Sequence, residues 1–128
     1  MPYSISYHSD FRYIEIISIG EHTFTDYSDQ LIKATAMGRE KGTFLYLLDN
    51  EKLKNLASIT EIYNLPKLYK LHADISRLII AAYYSTEAKN KEAISFYENI
   101  CVNHGLHVKT FYDKNEALKW LLKESEKI

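Results

Sequence analysis

Residues 78–122 read LIIAAYYSTEAKNKEAISFYENICVNHGLHVKTFYDKNEALKWLL, and this stretch decides the fold class. Its opening belongs to a strand from Arg77 to Tyr84, in which Leu78, Ile79, Ile80, Ala81 and Ala82 are apolar without alternation and so demand cover on both faces. Ala93, Phe96, Tyr97, Ile100, Cys101 and His104 then fall at i, i+3, i+4, i+7, i+8 and i+11. That spacing is one unbroken helical face, and Gly105 supplies its C-terminal cap. Leu106 to Tyr112 returns to strand, and Asp113 with Glu116 places an Asp-x-x-Glu cap ahead of Ala117, Leu118, Leu121 and Leu122. Strand, helix, strand and helix of these lengths predict right-handed crossovers between parallel neighbours.

Working back toward the N-terminus, Thr43 to Leu48 reads as a buried central strand ending at Asp49-Asn50, with a polar loop from Glu51 to Asn55 behind it. A helix starts at Ser58, where Ser58 and Glu61 have capping-box spacing and Ala57 with Ile62 forms a weak hydrophobic staple. Pro66 lies deep in that helix and an interior proline costs ~3 kcal/mol, which predicts a kink or break near Asn64-Leu65. An earlier helix, capped by Thr23 or Thr25, carries Tyr27, Leu31, Ala34, Thr35 and Met37 and closes at Arg39, Lys41 and Gly42. Before it, Tyr3 to His8 and Phe11 to Ile19 form a hairpin across Ser9-Asp10. The prediction is a single α/β domain over residues 1–128 in the order β-β-α-β-α-β-α-β-α. Its sheet is mostly parallel with an antiparallel N-terminal strand, and its helices lie mainly on one face.

Composition narrows the function classes. A chain of 128 residues with 46% hydrophobic and 26% charged residues has the make-up of one folded globule. Sixteen Lys+Arg against seventeen Asp+Glu leave a net charge of −1, without the broad basic field of nucleic-acid binding. No apolar run approaches the ~20 residues of a membrane span. One cysteine allows no intramolecular disulfide, and Met1 to Phe11 lacks the basic and apolar regions of a secretion signal, so a cytoplasmic location is expected. The four glycines, Gly20, Gly38, Gly42 and Gly105, are too dispersed for a phosphate loop. Cys101, His104 and His107 span a helix end at spacings unlike the usual zinc sites and lack a fourth ligand, so neither metal nor cofactor is expected. His8, His22 and His72 are scattered, and no nucleophile–base arrangement can be placed. Asp26 with Asp29, and Glu124 with Glu126, read as solubilising charge. An enzyme is therefore not expected.

The element order, and the ending from Phe96 through Gly105 and Asp113 to Leu121, resemble the STAS domain, in particular its stand-alone SpoIIAA-like bacterial members. The resemblance implies a non-catalytic regulatory domain that acts through a protein partner. In anti-sigma-factor antagonists of this family a kinase modifies a serine or threonine at the start of the helix after the third strand. The matching place holds Ser58, with Thr60 two residues on, although Asp-Ser-Ser-Gly is absent and the preceding loop is basic. The resemblance thus makes Ser58 and Thr60 candidate phospho-acceptors for a regulatory kinase.

Physically, a helix N-terminus favours an anion, and Lys52, Lys54 and Asn55 stand ready as contacts for an anion or a partner. The plainer reading makes Ser58 an N-cap worth ~1 kcal/mol and the lysines solvated charges. The eleven tyrosines include several on strands. If all helices share one side of the sheet, Tyr13, Tyr46, Tyr83 and Tyr84 supply a half-wet face for a homodimer. Ordinary β-propensity explains the same residues. An alternative function is a small-molecule or lipid-binding module, with an apolar ligand in a pocket between sheet and helices.

Overall fold

From its N-terminus the chain runs β1 (Tyr3–His8), β2 (Tyr13–Gly20), α1 (Phe24–Lys41), β3 (Leu45–Leu53) and α2 (Ile59–His72). It continues through β4 (Ile79–Tyr84), α3 (Lys91–Asn103) and β5 (His107–Phe111) to α4 (Lys114–Ser125), in the order expected from the sequence. The computed structural model describes residues 2–55 and 58–127, so the staple expected at Ala57 lies outside the described residues. The five strands stand side by side in the order β1-β2-β3-β4-β5, with β1 antiparallel to β2 and the other pairs parallel.

Each parallel crossover steps one strand further in the same direction. Right-handedness therefore puts α1, α2 and α3 on one face. Beneath them Ile14, Ile16, Tyr46, Ile80, Ala82 and Val108 of the sheet pack with Ala34, Ile62, Leu65, Ile94 and Cys101. The fourth helix follows the last strand of the sheet, so no crossover constrains it. It turns onto the opposite face, where Tyr13, Leu45, Leu47, Ile79 and Ala81 close over Ala117 and Leu121.

That placement corrects the tyrosine face. Tyr46 and Tyr84 are buried under α1–α3, while Tyr13 is buried and Tyr83 half-buried on the α4 side, so the four do not form one surface. Their side chains alternate across the sheet as strand geometry requires, and α4 fills the face that was expected to stand open.

Two local expectations also change. Helix α2 runs through Pro66 without a break, and Pro66 is fully buried. Packing of the helix holds it together where an isolated helix would part. The strand β3 extends to Leu53, because its pairing with β2 continues through Ile19↔Lys52 and Gly20↔Leu53. Lys52 is thus a strand residue rather than a loop residue. One extra residue in β3 between Asp49 and Lys52 forms a bulge opposite Ser18. A bulge reverses the alternation, which is why Asn50 and Leu53, an odd number of residues apart, both face the α1–α3 side.

Helix α1 begins with the Thr23–Asp26 capping box and ends at Gly42, whose φ of 71° suits a residue without Cβ. Four residues earlier, Gly38 is required for a different reason. A Cβ there would run into the Tyr46 hydroxyl and approach the Thr43 carbonyl oxygen to 3.0 Å. Gly38→Ala is accordingly expected to lower stability by ~1–3 kcal/mol, read from the urea midpoint at unchanged slope.

Candidate functional site

The residue types that line the space between the sheet and α1–α3 leave it incompletely filled. A cavity of about 100 Å³ lies there. Its apolar walls come from Ile16, Leu48 and Ile80 on the sheet, Leu31 and Ala34 on α1, Ile62 and Leu65 on α2, and Ala93 and Ile94 on α3. Polar groups enter from two sides. On one side Gln30 Nε2 donates to Ser18 Oγ at 2.8 Å and approaches His22 Nδ1 at 3.3 Å. The other ring nitrogen of His22, Nε2, lies 2.8 Å from the Pro2 carbonyl. A carbonyl can only accept, so the ring proton belongs on Nε2 and Nδ1 receives the amide.

On the other side the hydroxyls of Tyr69 and Tyr97 share a hydrogen bond of 3.0 Å. Tyr84 beside them hydrogen-bonds the Asn50 side chain, and Tyr97 bonds the Cys101 thiol. Burial raises the pKa of all three phenols above the ordinary tyrosine value, and it pushes the Cys101 thiol up to about 12. They stay protonated in the folded chain. At the C-terminal ends of β3 and β4, Asn50, Leu53 and Tyr84 also border a second cavity of about 360 Å³, which Lys54, Glu51, Glu87 and Lys89 rim. The carboxyl ends of parallel strands are where open α/β sheets commonly hold ligands.

The sequence-derived anion site is arranged differently. Ser58 caps α2, accepting the Glu61 N–H, while the Glu61 carboxylate accepts the Ser58 N–H at 2.9 Å. A carboxylate therefore already occupies this helix start. Thr60 is exposed nearby, and its carbonyl accepts from the Asn64 side chain. Asn55 grips His22 instead of facing a partner, with Oδ1 accepting the His22 N–H at 2.8 Å and Nδ2 donating to the His22 carbonyl at 3.0 Å. The Lys54 N–H bonds the Gly20 carbonyl. Lys52 is exposed on β3, and Lys54 lines the second cavity. Ser58→Ala is expected to lower stability by ~1 kcal/mol through loss of the cap.

A second polar cluster lies on the α4 face, unannounced by any motif. Lys114 Nζ bridges Glu15 Oε2 and Asp49 Oδ2, each at 2.8 Å, and the other Glu15 oxygen lies 2.8 Å from His8 Nε2. Both carboxylates are buried. Burial opposes the charge on Lys114, but hydrogen bonds to Asp49 and Glu15, together with their charges, outweigh it and raise the lysine pKa. Register explains the meeting. Glu15 and Asp49 sit on neighbouring strands with side chains on the α4 side, and Lys114 opens α4 directly above them.

The arrangement defines a SpoIIAA-like α/β domain, with three helices over one face of the sheet and one over the other. An uncharacterized protein of the DUF3478 family from Shewanella loihica PV-4, whose crystal structure shows a SpoIIAA-like fold, superposes with a TM-score of 0.57 at 22% identity, over 93% of this chain and 91% of that one. The sequence matches no protein-family model and no curated protein. Among the described residues, no helix is long and apolar enough to cross a membrane.

Proposed function

We propose that this SpoIIAA-like domain is a non-catalytic binding module that takes a small, largely apolar molecule between its sheet and α1–α3. The observation that carries the reading is the cavity of about 100 Å³, with apolar walls and a few convergent uncharged polar groups, the usual design of a small-molecule site. Its phenols, kept protonated by burial, suit hydrogen bonding to a guest and not proton abstraction. Thermal shift against a panel of small organic solutes tests the idea, because a ligand held only by the native state raises Tm. A rise in the unmodified chain that disappears in Ala93→Leu, which fills the cavity, supports the reading. A panel without effect, or equal shifts in Ala93→Leu, rejects it.

A regulatory reading is supported by the exposure of Ser58 at the cap of α2. On that reading Ser58→Asp leaves Tm nearly unchanged and alters affinity for a protein partner captured from the native organism. Unaltered affinity counts against a switch. Pairing of two chains would use the half-buried Tyr83 on the α4 side, and Tyr83→Glu would then convert a ~30 kDa species to a ~15 kDa one in sedimentation equilibrium. A single species near 15 kDa in the unmodified chain removes the dimer.

A further inference from the structure

We propose that the cavity beneath α1–α3 selects an uncharged, compact, alcohol-like guest and turns away carboxylates and ammonium ions of the same size. The inference rests on the binding reading above and adds the chemical class of the ligand. Among the described residues that line the cavity there is no Asp, Glu, Lys, Arg or His. A charge brought inside would lose its water and meet no countercharge, a penalty far larger than that of an uncharged polar group with a partner. The adjoining cavity does not repair this. Its charged rim carries two lysines, Lys54 and Lys89, and two glutamates, Glu51 and Glu87, so it has no net sign to hold an ionic end.

What the cavity offers is hydrogen bonding of both kinds. The Tyr69–Tyr97 hydroxyl bond can run in either direction, so the pair adapts to a guest that donates or to one that accepts. An alcohol does both. Size sets the other limit, since a cavity of about 100 Å³ is somewhat smaller than the ~150 Å³ apolar cavity that holds a benzene-sized guest, and it calls for a short or small-ring carbon skeleton. A bare hydrocarbon of that size would fill the apolar walls but gain no hydrogen bond from the hydroxyl pair, which stays bonded to itself.

Amide chemical-shift titrations of the full chain at neutral pH, with cyclopentanol, cyclopentylammonium and cyclobutanecarboxylate as probes, test the proposal. Cyclopentanol is expected to shift amides of α2, α3 and β4, with both ions weaker by at least roughly tenfold. Tyr97→Phe, which removes one hydroxyl and keeps the ring, is expected to weaken cyclopentanol by roughly three- to tenfold and to leave the ions unaffected. Either ion binding as tightly as cyclopentanol in the same amides overturns the selection and leaves the cavity as a binding site. Cyclopentanol binding that is unchanged by Tyr97→Phe overturns the role of the hydroxyl pair. No response to any probe overturns the selection and the binding reading together.

Discussion

Lys114→Met is expected to destabilise the chain by ~2–3 kcal/mol in urea unfolding at neutral pH. The lysine is the shared partner of two buried carboxylates, Glu15 and Asp49, each 2.8 Å from its ammonium. Removing one partner of a buried ion pair costs ~3–5 kcal/mol, chiefly because the remaining charge is stranded. The Lys114 side chain keeps 44% of its exposure, so water screens part of that loss and brings it down to ~2–3 kcal/mol. Methionine keeps the stem, which separates the effect of charge from that of packing. Asp49→Asn in the Lys114→Met background should recover part of the loss, since it removes one of the stranded charges. A double-mutant cycle reads the coupling directly. Strict additivity of the two substitutions would show that the cluster contributes nothing as a unit.

Alkaline pH is expected to unfold the domain cooperatively near about pH 11, well before the buried phenols titrate in place. Burial raises Tyr46 to about 12, raises Tyr69, Tyr84 and Tyr97 as well, and pushes Cys101 up to about 12. Tyrosine and cysteine in an unfolded chain ionise near ~10 and ~8.5. Between the unfolded and folded values the unfolded chain has released protons that the folded chain still holds, so stability falls as pH rises. Below the unfolded values the contribution is complete. Each such group removes about 1.4 kcal/mol per pH unit, and together they rival the ~5–15 kcal/mol that holds an ordinary domain together. Lys114 acts in the same direction, its folded value being raised too. Tyrosinate absorbance should show a first phase from exposed phenols and then one step coincident with loss of circular dichroism. Smooth titration of every tyrosine with the fold intact would refute the burial of this cluster.

The helical segments were legible because their signals are local. Ser58 with Glu61, Asp113 with Glu116, and the face from Ala93 to Cys101 each depend on residues within a few turns of one another, and the structure puts helix starts and a buried stripe where they predict. Parallel pairing followed as well, since strand–helix–strand alternation implies right-handed crossovers, whereas the order of the strands across the sheet came from the structure. The side taken by α4 was not readable, because no strand follows that would fix its hand. The demand came instead from Leu45, Leu47, Ile79 and Ala81, apolar residues that needed cover on the second face. The bulge in β3 was hidden for a related reason: polar residues from Glu51 to Lys52 look like loop until β2 provides a ladder for them. The sequence by itself therefore determined the elements, their order and the SpoIIAA-like class. Only the tertiary structure decided which polar residues meet. Glu15, Asp49 and Lys114, or Tyr69 and Tyr97, are brought together by strand register and helix packing, and distances along the chain carry no trace of either.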